Sequence, residues 1–231
     1  AVNSVGNVML PRLSYYQAQN KERRAGELIA KNMNFVMVFG SAIIVLLILL
    51  ADPIVALLGG SDFADSEVPL RCVGVAVMFS AMNIVLANYM ISKGKERSWA
   101  TVNAIGLVLA VVANCVLIPR FGVVGSAISI SLCEALMFAM RSYVCREFLS
   151  GIRGLIDPIR IFCSAGFSGN ATYIVLALCG CSAWNAFLWL VCGGILFSII
   201  YGTSLLVCRE QFVMGVIRPI LNKIQDTKEQ A

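Results

Sequence analysis

Long stretches without any charged residue are the feature that most constrains this chain. Three such gaps, of 20, 21 and 22 residues, lie between successive charges: Lys31 to Asp52, Arg71 to Lys93 and Arg97 to Arg120. An α-helix rises 1.5 Å per residue and the hydrocarbon core of a bilayer is about 30 Å thick, so about 20 apolar residues span it. Each gap therefore predicts one transmembrane helix.

Two further regions complete the set of predicted helices. Residues 122–144 carry a single internal acid, Glu134, and predict a fourth span. The 48 residues from 161 to 208 carry no charge, and as one helix they would be about 72 Å long, so the chain must turn back once. We place this turn at residues 179–185, where glycine, serine and asparagine cluster.

The predicted fold class is an all-α integral membrane protein with six transmembrane helices. Their approximate ranges are 33–57, 70–91, 99–118, 122–144, 159–178 and 184–207. Composition agrees, because 59% of the residues are hydrophobic, whereas a soluble domain has about 45 to 50%. Residues 1–10 are apolar as well and predict the end of a preceding transmembrane helix that stops before Pro11. Because the chain lacks an initiator methionine, we expect it to be a fragment of a longer protein.

Lysine and arginine predict the orientation. Sixteen of the 18 fall on one side of the six-helix arrangement: in a connector at 11–32, after the second and fourth spans, and in a tail at 209–231. Short basic loops stay in the cytoplasm, so both ends of the chain are expected there. The net charge of +5 follows from this insertion rule and indicates no nucleic-acid partner. Apolar residues at helical spacing predict that the tail is amphipathic and lies in the headgroup layer.

The residues needed for most catalytic and metal sites are missing. The chain contains no histidine, which excludes a Ser-His-Asp triad and a HExxH zinc site, and it contains no phosphate-binding GxxxxGK[ST] loop. Its nine cysteines lack metal-ligand spacing. The predicted loops are too short to hold a soluble catalytic lobe. We therefore predict no cofactor, no metal and no enzymatic activity.

Charged groups within the spans are the candidate functional residues, because a charge at the bilayer centre costs at least about 2.5 to 3.5 kcal/mol. Glu134 is the strongest case, and Arg141 follows it on nearly the same helix face. Glu134 either lines a cavity for a proton, a cation or a substrate hydroxyl, or bonds a neighbouring helix. Asp52, before Pro53, is expected to mark the outer end of the first span. Five asparagines have the chemistry to bond either sugars or neighbouring helices, and helix–helix bonding is the expected role of each: Asn83, Asn88, Asn103, Asn114 and Asn170.

Three segments match a known pattern: Pro11 to Ser14 after a helix end, Ser92 to Lys95 after the second span, and Asn114 to Glu134 (NCVLIPRFGVVGSAISISLCE). The most specific positions are Asn114, Ile118, Pro119, Phe121, Gly122, Gly125, Ser126, Ala127 and Glu134. In these segments the chain resembles the C-terminal half of polysaccharide transporters, the flippases of lipid-linked oligosaccharides in bacterial O-antigen and capsule synthesis. Their superfamily also contains the MATE drug exporters and the peptidoglycan lipid flippase.

The resemblance implies two pseudo-symmetric lobes around a central cavity. Residues 33–146 would belong to the second lobe, and 147–208 would form an accessory helix pair. The implied function is flipping of a polyprenyl-diphosphate-linked oligosaccharide across the bacterial inner membrane by alternating access. The implied partners are this lipid-linked substrate, membrane lipids, the missing N-terminal lobe and other glycan-assembly membrane proteins.

The diphosphate of such a substrate requires cations, and four arginines are the candidates. Arg12 and Arg141 are on the predicted cytoplasmic side, and Arg71 and Arg120 are on the outer side. Two other functions remain open. A MATE-like cation-coupled drug antiporter would use Glu134 or Asp52 as its coupling carboxylate. A non-transporting membrane scaffold or an intramembrane glycan-assembly enzyme is the other alternative.

Overall fold

The computed structural model describes residues 2–178 and 186–208. Within these ranges seven helices follow one another: α1 (Val2–Ala18), α2 (Glu22–Gly59), α3 (Glu67–Ser92), α4 (Glu96–Val144), α5 (Arg146–Ile152), α6 (Pro158–Leu178) and α7 (Ala186–Val207). Short 3₁₀ turns lie at Ser61–Ser66 and Arg153–Leu155, and the described ranges contain no strand. The predicted turn at 179–185 and the predicted amphipathic tail at 209–231 lie outside the described residues.

Five of the described helices, α2, α3, α4, α6 and α7, are long and apolar enough to cross a membrane. With 49 residues, α4 would be about 73 Å long if it were straight. Instead the helix breaks at Gly122, where φ is 57° and ψ is −132°. The two parts, which we call α4a (96–121) and α4b (123–144), supply two crossings. The six predicted transmembrane segments are therefore present, and the predicted boundary between the third and the fourth is confirmed.

The break in α4 produces a tight helical hairpin. Gly122 has a positive φ that L-residues with a side chain rarely adopt, so glycine allows the reversal. Beyond the turn, Gly125 packs directly against the Leu117 carbonyl. A Cβ atom on Gly125 would overlap this carbonyl. Farther along, Gly106 faces Met137 in the same antiparallel register. The two halves of α4 thus remain in contact along their length.

Helix α1 does not end before Pro11 as the sequence predicts; it continues through Pro11 to Ala18. A proline inside a helix costs about 3 kcal/mol. Met9 and Leu13, on either side of the proline, are only 3% and 0% exposed. Burying two such side chains contributes about 1.5 to 3 kcal/mol each, which is enough to offset the cost of the proline.

Helix α2 begins earlier than the predicted first span. It starts at Glu22 rather than near residue 33 and includes most of the second half of the predicted connector. Buried residues recur there at helical spacing, namely Ala25, Gly26, Ile29 and Ala30. The amphipathic segment therefore packs against the rest of the protein and prolongs the membrane helix by about three turns.

Helix α2 contacts α1, α3, α6 and α7, whereas α3 packs mainly on α2 and α4. Asn34 of α2 holds the segment before α6: its Nδ2 donates to the Leu155 carbonyl at 2.9 Å and its Oδ1 accepts from the Asp157 amide at 3.2 Å. The Tyr201 hydroxyl of α7 donates to the Val38 carbonyl at 3.1 Å. It also lies 2.9 Å from Ser41 Oγ. The C-terminal pair, α6 and α7, is therefore fixed to α2.

Candidate functional site

A polar network lies where α3, α4a and α4b meet. Asn83 of α3 donates one amide hydrogen to Glu134 Oε2 at 2.7 Å and also bonds the Glu134 carbonyl at 2.9 Å. Asn83 is 3% exposed, so this bond is shielded from solvent. The predicted intramembrane acid is thus held by an asparagine of the adjacent helix.

Arg141 is bound to the same asparagine. Its Nη1 donates to the Asn83 carbonyl at 3.1 Å, and its Nη2 donates to Asn103 Oδ1 on α4a at 2.8 Å. Arg141 lies seven residues after Glu134, about two helical turns, so both side chains are on one face of α4b. The side chain is 5% exposed. We call Asn83, Asn103, Glu134 and Arg141 the Asn83 network.

Two atoms of the Asn83 network have hydrogen-bonding capacity left. Asn83 Oδ1 and Arg141 Nε are buried and bond no other atom among the residues that the structure describes. Buried polar atoms are normally satisfied, because leaving one unpaired costs about 1 to 3 kcal/mol. One of these atoms is an acceptor and the other is a donor.

A cavity of about 680 Å³ lies beside the network, between α4a, α4b and the start of α3. Its walls are mostly small and apolar, such as Gly106, Ala110 and Ala127. Five polar residues interrupt them: Asn103, Asn114, Ser126, Ser129 and Glu134. Among the predicted site residues, Glu134 is the one that lines this cavity.

A second cluster of charged residues lies near the end of α2 and the start of α3. Arg71 of α3 forms an ion pair with Asp52 of α2, and Glu67 lies beside both. The Arg71 and Asp52 side chains are 39% and 52% exposed. Exposed pairs of this kind contribute about 0 to 1 kcal/mol. The pair therefore links the ends of α2 and α3 without being enclosed.

The other two predicted cations stand apart from these groups. Arg12 is exposed on α1, and Arg120 is exposed beside the break in α4. Within the described ranges neither forms an ion pair. The structure thus brings together Glu134 with Arg141 and Asp52 with Arg71, and leaves Arg12 and Arg120 separate.

Two of the asparagines predicted to bond neighbouring helices are seen to do so in the part of the chain that the structure describes. Asn83 and Asn103 both reach across to α4b. Among the described residues, Asn170 instead bonds its own helix, with its amide donating to the Gly166 carbonyl at 2.8 Å. The sequence did not single out Ser131, which joins α4b to the Cys72 carbonyl of α3 at 2.9 Å. A serine in an apolar helix gives no signal of the partner it will meet.

The chain is similar in sequence to one flippase family and to two proteins of glycan biosynthesis. The sequence model of a family described as "Lipid II flippase MurJ" matches residues 2–202. The "Capsular polysaccharide biosynthesis protein CapF" of Staphylococcus aureus is 24% identical over 133 residues, which cover 57% of this chain and 33% of that protein. The "Probable low-salt glycan biosynthesis flippase Agl15" of Haloferax volcanii is 19% identical over 147 residues, 64% of this chain and 31% of that protein.

A solved structure has the same fold. The chain aligns with "Lipid II flippase MurJ, inward closed conformation" with a TM-score of 0.69 and 15% identity, over 94% of this chain and 44% of that one. The chain spans about a third of the length of the curated relatives it matches. Since the family match extends over most of its residues, this multi-pass membrane protein belongs to the lipid II flippase MurJ family of transporters.

Proposed function

We propose that this chain is part of a flippase that moves a polyprenyl-diphosphate-linked oligosaccharide across the bacterial plasma membrane for O-antigen, capsule or exopolysaccharide synthesis. Family membership supports the transport of a lipid-linked head group. The names of two relatives, a capsular polysaccharide biosynthesis protein and a glycan flippase, support a glycan cargo.

The proposed arrangement has both chain ends in the cytoplasm, because 16 of the 18 lysines and arginines then lie on that side. Residues 33–146 belong to the second lobe of the transporter, and 147–208 form the accessory pair. Alternating access moves the polar head between the lobes while the lipid tail stays in the bilayer. This route avoids passing hydroxyl groups and a diphosphate through hydrocarbon.

The single observation that carries the proposal is the Asn83 network within the membrane. Glu134 lies about halfway along α4b, 12 residues or about 18 Å of helix beyond the break at Gly122. Charges at this depth are costly and mark substrate or ion pathways. Because Glu134 also lines the cavity of about 680 Å³, we assign it to the path of the polar head.

The arginines are given two different roles in this proposal. Arg12 and Arg120 are exposed and contact the diphosphate at the cytoplasmic and outer ends of the path. Arg71 and Arg141 are held by Asp52 and by two asparagines, and they position the carboxylates and helices around the path. A guanidinium group suits both tasks, because it can form several directed hydrogen bonds.

The proposal is tested by replacing Glu134→Gln in the protein as its native cell makes it. Glutamine still accepts the Asn83 hydrogen bond, so the helices stay together while the charge is lost. Hydrogen bonds to charged groups contribute about 1.5 to 3 kcal/mol, so we expect export to slow by about ten- to a hundredfold. Surface glycan is measured by labelling intact cells, and protein abundance is measured by immunoblot.

Glu147→Gln is the matched control, since Glu147 is exposed on α5 away from the network. Export at the normal level in Glu147→Gln and reduced export in Glu134→Gln would support the proposal. Normal export in both variants would reduce Glu134 to a residue that only packs helices. Normal surface glycan after deletion of the whole gene would contradict the proposed cargo.

A further inference from the structure

The polar groups that line the cavity beside the Asn83 network indicate which part of the substrate the cavity can bind. Its polar lining consists of one carboxylate, two asparagine amides and two serine hydroxyls. No lysine or arginine of the described residues lines it. Arg141 is the closest cation along α4b, and its Nη atoms are bonded to Asn83 and Asn103.

Ser129 is the strongest sign that the cavity receives a polar ligand. Its side chain is 1% exposed and lines the cavity. Its hydroxyl bonds no atom among the described residues, although serine in a helix usually bonds a carbonyl of the preceding turn. Ser126, one turn earlier, does so with the Val123 carbonyl at 2.7 Å. The Ser129 hydroxyl therefore has hydrogen-bonding capacity left in the wall of the cavity.

Charge decides which part of a lipid-linked glycan fits this cavity. A diphosphate would face the Glu134 carboxylate with no lining cation to balance the repulsion. Sugar hydroxyls, in contrast, donate to a carboxylate and both donate to and accept from amides and serine hydroxyls. The apolar faces of a sugar ring suit walls of alanine and valine. The volume of about 680 Å³ also lies within the usual range of small-molecule sites, about 300 to 1,000 Å³.

We propose that this cavity is a sugar subsite, in which Glu134, Asn114 and Ser129 bind hydroxyl groups of the glycan and from which the diphosphate is excluded. The inference rests on the proposed function, since it concerns the same substrate. It places the glycan between α4a and α4b and assigns the diphosphate to cations elsewhere. Asn114 and Ser129 become specificity-determining residues for the sugar.

The test compares two ligands on the protein as its native cell makes it, purified into lipid nanodiscs. The probes are undecaprenyl diphosphate and undecaprenyl diphosphate carrying an N-acetylhexosamine disaccharide. We expect the wild type to bind the sugar-bearing lipid with the lower Kd. Asn114→Leu and Ser129→Ala should each raise that Kd about fivefold, the equivalent of one hydrogen bond, and leave the Kd of the sugar-free lipid unchanged.

Asn170→Leu is the matched control, because this exposed asparagine does not line the cavity and bonds its own helix among the described residues; its two Kd values should equal those of the wild type. Equal binding of both lipids by the wild type, in cells that still export glycan, would overturn the subsite and leave the proposed function standing. An equal loss of both lipids in Ser129→Ala would also overturn it. Failure of the wild type to bind either lipid would contradict the proposed function, and the subsite with it.

Discussion

The α4 hairpin and the C-terminal pair, α6 and α7, are joined to their neighbouring helices in two different ways. The α4 hairpin is joined to α3 through charged groups, Glu134 and Arg141 bonded to Asn83, as well as through the neutral Ser131 hydroxyl. The C-terminal pair is joined to α2 through neutral groups, with the Tyr201 hydroxyl bonded to α2 and Gly169 against Val45. Small residues and neutral hydrogen bonds are thus sufficient to hold membrane helices in this fold. The charges of the hairpin need another reason, and we propose that this reason is transport.

The largest expected difference between the two regions is the loss of stability when a closely packed glycine is replaced by alanine. In Gly125→Ala the new Cβ would overlap the Leu117 carbonyl, which is rigid backbone. In Gly193→Ala the Cβ would lie 2.9 Å from Leu50 Cδ2, the end of a side chain that can move. We expect the first change to lower the free energy of unfolding by about 3 kcal/mol and the second by about 1 kcal/mol or less. Equilibrium unfolding in mixed micelles measures both.

Gly194→Ala serves as the control for these glycine variants, because no atom of the described residues lies within 4 Å of the place where its Cβ would be. Its free energy of unfolding should equal that of the wild type or exceed it by up to about 1 kcal/mol, since alanine is the better helix former. A Gly125→Ala protein as stable as Gly194→Ala would show that the two halves of α4 are not in close contact.

Removal of the buried cation should give the next largest effect. Arg141→Met fills similar space but leaves the Asn83 carbonyl and Asn103 Oδ1 without their donor. We expect a loss of about 2 kcal/mol in the free energy of unfolding, the cost of unsatisfied buried acceptors. The matched change Arg146→Met removes an exposed cation that lies over the Tyr143 ring, and should have a much smaller effect. Equal losses would mean that the hydrogen bonds of Arg141 to Asn83 and Asn103 do not contribute measurably to stability.

Loss of the Tyr201 hydroxyl, which holds α7 to α2, should have the smallest effect on stability. Tyr201→Phe removes the hydroxyl that meets the Val38 carbonyl and Ser41 Oγ and keeps the buried ring. The expected loss is about 1 kcal/mol in the free energy of unfolding, without any change in glycan export. A loss of export in this variant, at normal protein abundance, would place the C-terminal pair in the transport step and remove the contrast between the two regions.

The sequence predicts the membrane segments well because the insertion cost of charges controls their lengths. The break at Gly122 could also be predicted, since Pro119 and Gly122 lie between two apolar runs. The helical path through Pro11 could not, because it depends on the burial of Met9 and Leu13 and therefore on tertiary contacts that a local rule does not include.

Only part of the Asn83 network could be predicted from the sequence. Glu134 and Arg141 stand out because charges are rare in apolar helices, and their spacing places them on one face. That Asn83 would be the residue between them depends on which helices are neighbours and at what height. The pattern of apolar residues carries no information about either, so the asparagine could be predicted to bond a helix but not a particular partner.

The central claim is that the charge of Glu134 serves transport rather than packing. The most direct measurement determines the flipping rate of the sugar-bearing polyprenyl diphosphate in liposomes and the free energy of unfolding, for Glu134→Gln and Tyr201→Phe in parallel. We predict that Glu134→Gln lowers the flipping rate about tenfold or more while its stability stays within about 1 kcal/mol of the wild type. Normal flipping by Glu134→Gln, together with a loss of stability larger than that of Tyr201→Phe, would contradict the claim.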